Sequence, residues 1–305
     1  MDPLLCVLIN GPLIVLNILA NIFYIFCMVC PHDRERIKQP LKLLLWSLIC
    51  CTIIYLISVT ATFSPRMAHN SMVNYAFRLY TWSTSLTSSV WLNFFFYTQI
   101  VPAQRAVFIW IKRNIKSIIY CILLAERVFF LFRFTVTLVG NPTFDGSNRS
   151  FTTHGNVTLI SSTSFQTKLY PVCDICFIME MAYFFFCLCV MVGSSGATVI
   201  YLHSHMRRMI ASGTPCPRLH SQMRVTITGI IQGAIYLLCA VWSLVYLFSQ
   251  KYSNTHFSDC IFCTVITLYM SVTTVNLGVG QAVFRRRAAD VWLKAAQCGK
   301  VLCKR

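Results

Sequence analysis

The sequence predicts an all-α membrane protein, a seven-transmembrane helix bundle with its N-terminus extracellular and a short amphipathic eighth helix. Three observations predict it. Charged residues make up 11% of the 305-residue chain and hydrophobic ones 56%, against roughly a quarter charged in soluble domains. Long runs without Asp, Glu, Lys or Arg recur along the whole length, and the basic residues fall in short clusters between them. A bilayer core of about 30 Å needs about 20 helical residues, so each such run is long enough to cross.

The first span, 5–29, lies in the uncharged run Pro3–Pro31. It is too long for a cleaved signal peptide and has Asp2 rather than a basic segment in front. The runs Leu43–Pro65, Leu79–Gln104, Met181–Met206, Val225–Gln250 and Cys260–Phe284 give spans at 42–63, 78–102, 176–204, 225–248 and 260–282. A seventh, 117–139, is apolar but interrupted by Glu126, Arg127 and Arg133. Intramembrane charge costs about 2.5–3.5 kcal/mol on insertion scales, so these three and Glu180 are expected to face the bundle or a water-filled cavity. Glu126 and Arg133 share a helix face. Glu180 reads either as a ligand-facing carboxylate or as an interhelical partner of Arg127 or Arg133.

Seven spans make the loops alternate sides. Nineteen of the 26 Lys and Arg fall in segments 34–42, 105–116, 207–224 and 285–305. Positive residues mark the cytoplasmic side, which places the N-terminus outside and the tail, 283–305, in the cytoplasm. The long outside loop, about 140–171, carries the acceptor patterns at Asn148 and Asn156, which need lumenal exposure; Asn141 is excluded by Pro142. Within the tail, Val283, Phe284, Val291 and Leu293 form the membrane side of an amphipathic helix, followed by Cys298 and Cys303, juxtamembrane positions open to palmitoylation. The whole chain is one membrane domain, and the basic loops are explained by lipid contact rather than nucleic acid.

No metalloprotease H-E-x-x-H, nucleophile elbow or phosphate-binding loop is present, so the chain does not read as an enzyme and no cofactor is expected. The seventh span holds no Lys for a retinal Schiff base. Cys173-x-x-Cys176 and Cys260-x-x-Cys263 have the spacing of zinc-ligand pairs but not their polar, tight-turn setting, so no metal is expected; a disulfide from Cys173 stays open. Most of the sixteen Cys sit in apolar runs, where Cys behaves as a small hydrophobe. Asn17, Asn21 and Asn276 are amides suited to bonding across helices. Trp82, Trp91, Trp242, Tyr236, Tyr246 and Tyr269 are large apolar bodies with polar tips, suited to packing or to gripping an uncharged ligand.

Seven helices, an outside N-terminus, a very short N-terminal segment and a membrane-lying eighth helix together resemble a G-protein-coupled receptor. The rhodopsin-like D-R-Y, C-W-x-P and N-P-x-x-Y patterns are absent. Their absence, and particular segments, resemble the type 2 taste receptors, the bitter receptors. YLHSHMRRM, 201–209, is similar to that family's S-L-W-K-H-T-K-Q-M, with Leu202, His205 and Met209 coinciding. Gly213, Pro215 and the run from His220 to Arg224 are similar to its short third inner loop. FFYTQIVPAQRAVFIWIK, 95–112, is similar to F-Y-F-L-K-I-A-N-F-S-H-x-x-F-L-W-L-K, sharing Phe96, Tyr97, Ile100, Phe108, Trp110 and Lys112. The chain departs from the family where its second span reads SLICCTIIY without Arg, at Gln99 in place of Lys, and at NLGVGQ, which ends the seventh span.

The resemblance implies a chemosensory receptor, multi-pass in the plasma membrane, that binds a small-molecule tastant from outside and activates a heterotrimeric G protein. The uncharged or weakly basic ligand would sit among Trp82, Ser85, Leu86 and Ser89 of the third span, Glu180 and Tyr183 of the fifth, Trp242 and Tyr246 of the sixth, and Thr264 and Leu268 of the seventh. By family resemblance Trp82 leads this set. Lys112, Arg113, His205, Arg207, Arg208 and Arg285 would face the G protein. Type 1 vomeronasal receptors share the layout and are the alternative. A transporter or channel subunit is less favoured, because the chain has neither an internal repeat nor paired Gly/Pro interruptions.

Overall fold

A computed structural model describes residues 3–30, 39–62, 71–102, 106–139, 158–212, 217–252 and 259–302. Asn148 and Asn156 lie outside them. Among the described residues the chain forms eight helices and no strand: α1 (Pro3–Val29), α2 (Leu41–Thr62), α3 (Ser71–Ile100), α4 (Ala106–Val139), α5 (Thr158–Ser212), α6 (Pro217–Tyr252), α7 (Asp259–Gly280) and α8 (Ala282–Leu302). Apolar side chains can be buried together or turned to lipid only if the backbone satisfies its own hydrogen bonds, which a helix does within one segment.

Five helices are long and apolar enough to cross a membrane: Leu5–Val29, Leu41–Thr62, Pro171–Arg208, Thr226–Tyr246 and Cys260–Gly280. α3 and α4 fall short of that measure for different reasons. α4 carries Lys112, Arg113, Lys116, Glu126, Arg127 and Arg133. α3 is uncharged over its centre but rich in hydroxyls, and every residue from Thr81 to Asn93 is buried. It packs against α2, α4, α5 and α6. A helix enclosed by protein on all sides needs no lipid-facing stripe, so its Ser and Thr are tolerated. Most turn back to their own backbone, Ser88 to the Thr84 carbonyl at 2.7 Å and Ser89 to that of Leu86 at 2.8 Å.

Helix ends depart from the sequence expectation most at α5, which is 55 residues long, about 80 Å at 1.5 Å per residue. It begins at Thr158, so the second half of the expected 140–171 loop is helical, with Pro171 inside it. Proline removes one backbone donor but is tolerated inside long membrane helices, so the helix runs through Pro171, where the sequence reading ended the loop. α4 likewise begins at Ala106 rather than near residue 117, so Lys112 and Arg113 stand on a helix instead of in a loop.

α1 packs on α7, α2 and α8, and its seam with α7 is polar. Asn10 Nδ2 donates to Thr264 Oγ1 at 2.8 Å, Asn17 to Ser271, Asn21 to Thr274 at 3.2 Å, and the Tyr24 hydroxyl to the Thr274 carbonyl at 3.1 Å. Spacings of seven, four and three residues keep all four on one face of α1. Cys6 and Cys260 close the same seam with a disulfide at its N-terminal end. Asn276 performs the corresponding task between α7 and α6, donating to the Thr228 carbonyl at 2.7 Å and Gln232 Oε1 at 3.1 Å. The expectation that Asn17, Asn21 and Asn276 bond across helices is met at all three.

α8 differs from the amphipathic reading at one residue. Phe284 does not turn to a membrane: it is 1% exposed and stacks on Tyr24 with ring centroids 4.5 Å apart. Val291, Trp292 and Leu293 remain exposed. The stack fixes Tyr24, and a Cβ on Gly278 would collide with its hydroxyl. Gly278→Ala is therefore expected to destabilise the protein by about 1–3 kcal/mol, read as a lower melting temperature in detergent. Tyr24→Phe, which removes the obstructing oxygen, should recover part of the loss in the double variant.

Candidate functional site

The α3 positions named from the sequence divide between two directions. Trp82 and Leu86 look toward α5 and α6, where they line a narrow cavity of about 20 Å³ together with Met181 and Phe184 of α5 and Ala240 and Ser243 of α6. The indole of Trp82, 1% exposed, packs edge-on against Phe262 at 5.6 Å and tilted against Phe184 at 5.8 Å. Tyr246 stacks on the far side of Phe262 at 4.1 Å, so α3, α6 and α7 meet in one aromatic column. Trp242 is half-buried on α6. Ser85 and Ser89 look toward α7, Ser85 to Met270 Sδ at 3.4 Å and Ser89 to the Tyr269 hydroxyl at 3.0 Å.

Four other named positions are not brought into this cavity. Glu180 forms an ion pair with Arg133 of α4 and accepts from the Ser83 hydroxyl at 3.2 Å. Of the two readings of Glu180, the interhelical one describes its contacts. Tyr183 turns to α4 and donates to Glu126 Oε1. Thr264 accepts from Asn10 in the α1 seam, and Leu268 is 44% exposed on the outside of the bundle. Both lie on α7 faces other than the one carrying Phe262 and Tyr269, which helical periodicity from an approximate register did not resolve.

Glu126, Arg127 and Arg133 of α4 each find a different neighbour. Trp91 Nε1 and the Tyr183 hydroxyl both donate to Glu126. Arg127 Nη2 reaches Ser88 at 3.2 Å and Ser47, which themselves lie 3.0 Å apart. Arg133 takes Glu180. α4 is thereby fastened to α2, α3 and α5 by polar contacts.

Sequence reasoning missed Arg78. The uncharged run began beside it at Leu79 and the expected span, 78–102, placed it at the edge without a role, yet it is 7% exposed, donates to Cys263 Sγ at 2.8 Å and lies 5.8 Å from the Tyr75 ring. It also missed Asn93, which donates to Ser195 at 2.7 Å and Ser194 at 3.2 Å. Nothing in the sequence distinguishes that amide from any other near a span's end. Of the Cys pairs, Cys260 is joined to Cys6, while Cys173, Cys176 and Cys263 are in no disulfide.

The opposite end of the bundle is basic. Arg113, Arg207 and Arg208 are exposed, and Lys112 and His205 are half-buried, His205 beside Tyr201 at 5.9 Å. Arg285 donates to the Val279 carbonyl at 3.0 Å. Partial desolvation, then the neighbouring Arg224 and Arg286, hold its guanidinium below the usual arginine range. A second small cavity, of about 40 Å³, lies nearer this end between α3, α6 and α7 around Asn93, Gln232 and Asn276.

Of known protein families, the one described as Taste receptor protein (TAS2R) matches residues 4–296. No curated protein matches the chain.

Proposed function

The chain belongs to the taste receptor protein (TAS2R) family, and from that membership we propose that it is a bitter-type receptor coupling a small-molecule tastant to a heterotrimeric G protein. The observation that carries this is the match over nearly the whole chain, joined to a helical bundle with an aromatic-lined cavity at one end and a basic surface at the other. In this reading α1 to α7 each cross the plasma membrane, with the N-terminal face outside. The Cys6–Cys260 disulfide supports that side, since disulfides persist in oxidising compartments.

The ligand site we propose is the narrow cavity at Trp82 and Leu86, widened on binding and entered from the N-terminal face, with Phe184 of α5 and Ser243 and Leu244 of α6 completing its wall. Tyr246 and Trp242 of α6 and Ser85 and Ser89 of α3 lie beside it rather than in its lining. Glu180 and Arg133 stand behind it as a brace between α4 and α5. No covalent chemistry is needed. A ligand that prefers one packing of α3, α5, α6 and α7 over another shifts the population toward it, by no more than its difference in affinity for the two. The packing favoured by a tastant would open the basic face, with Lys112, Arg113, His205, Arg207, Arg208 and Arg285, to the G protein.

The test is a calcium-release assay in cells expressing the chain with a promiscuous G protein, screened with bitter compounds and with volatile and steroid candidates. A bitter agonist is expected, and Trp82→Ala at equal surface expression should weaken its potency at least about tenfold, roughly 1.4 kcal/mol. A response confined to the volatile and steroid set would overturn the bitter reading. An agonist whose potency ignores Trp82→Ala would move the ligand out of this cavity.

A further inference from the structure

On the outer side of α3, between α4 and α5, a crevice of about 410 Å³ opens away from the bundle axis. Its volume is in the range of small-molecule sites, about 300–1,000 Å³. Its mouth is apolar: Ala125 and Phe129 of α4 face Met179 and Phe186 of α5, the last two 55% and 53% exposed. Its wall holds a carboxyl. Glu126, 5% exposed, sits on the inner side with Trp91 and Tyr183.

That carboxyl is unevenly satisfied. Trp91 Nε1 and the Tyr183 hydroxyl both donate to Oε1, whereas Oε2 is buried without a hydrogen-bond partner. Thr87, whose hydroxyl also bears on this carboxyl, gives its hydrogen bond to the Thr84 carbonyl at 3.3 Å. Among the described residues the one ion pair is Arg133 with Glu180, and Arg127, next to Glu126 in the chain, turns to Ser47 and Ser88 instead. A buried acid at mid-span with an open acceptor and no cation in contact, Arg127 acting on it only at a distance, is costly unless something supplies the missing donor. A charge-assisted hydrogen bond from an ammonium would do so, and such bonds are about twice as strong as neutral ones.

We propose that this crevice is a second binding site, reached laterally from the bilayer, for a lipophilic amine whose ammonium meets Glu126 while its hydrocarbon body lies between Phe129 and Phe186. It is separate from the cavity at Trp82, which α5 and α6 enclose on the other face of α3. It depends on the helices spanning a membrane but not on the identity of the tastant. Occupancy would join α4 to α5 across their apolar mouth, beside the residue, Tyr183, that already links them through Glu126.

The experiment uses the full chain in lipid nanodiscs, photolabelled with diazirine-bearing octadecylamine, diazirine-bearing octadecane or a diazirine-bearing cholesterol, with adducts located by peptide mass spectrometry. The amine probe is expected to label the α4 and α5 segments flanking the crevice at least tenfold above octadecane. Glu126→Gln should reduce that labelling to the octadecane level. Ala125→Phe, on an exposed face where folding is not at stake, should block it by filling the mouth. Equal labelling by octadecane, labelling by the sterol but not the amine, or amine labelling that survives both substitutions would overturn the proposal.

Discussion

Glu180→Ala is expected to lower stability by about 3–5 kcal/mol, the usual cost of removing one partner from a buried ion pair. Glu180 is 1% exposed and Arg133 is its sole ion-pair partner among the described residues. Deleting the acid leaves a guanidinium in the interior with no carboxylate and leaves the Ser83 hydroxyl without its acceptor. The loss should be read as a large drop in melting temperature of the purified receptor and in surface expression. Most of it is a penalty on the orphaned charge rather than the net worth of the pair. The double variant Arg133→Met with Glu180→Leu should therefore recover most of the wild-type stability. A double variant no better than Glu180→Ala would show that the pair itself, and not the orphaned charge, holds α4 to α5.

Cys6→Ser is expected to cost about 2–5 kcal/mol, since the disulfide closes a loop of 254 residues and ties the start of α1 to the start of α7. The polar seam below it, from Asn10 to Tyr24, is not removed by this change, so the fold should persist at lower melting temperature. The same bond reports topology. A membrane-impermeant reductant applied to intact cells should reproduce the effect of Cys6→Ser, because the proposed arrangement puts this end outside. If only a permeant reductant acts, the N-terminal face is cytoplasmic and the proposed orientation is reversed.

Much of the helical layout was legible because runs without charge have few other uses at such length. The positions of Asn17, Asn21 and Asn276 as cross-helix amides were legible for a related reason: a lone amide in an apolar run must find a partner. Glu180 was read correctly only as one of two alternatives, since sequence places a carboxylate at a depth but not at an azimuth. Azimuth is also where Thr264 and Leu268 went astray, and an uncertainty of two residues in register is enough to turn a side chain from the bundle to its outside. Arg78 stood at the edge of the expected third span, 78–102, and went without a role, whereas it is buried well inside α3. The pairing of Cys6 with Cys260, residues 254 apart, had no signature in spacing at all.

The enclosed, hydroxyl-rich character of α3 has a consequence for how the protein is made. A segment that reads Thr81-Trp-Ser-Thr-Ser-Leu-Thr-Ser-Ser89 has little affinity for hydrocarbon by itself, and the charges of α4 give that helix no more. Neither is a self-sufficient span in the way that α2 is, with its mean hydropathy of 2.3. Their residence in the bilayer must be a property of the group, with α2 and α5 supplying the surroundings in which the hydroxyls of one and the charges of the other are already answered. On the proposed topology, biogenesis therefore cannot proceed as seven independent insertions. Chains released before α5 has emerged should leave α3 and α4 poorly held, marked for degradation rather than waiting to be completed.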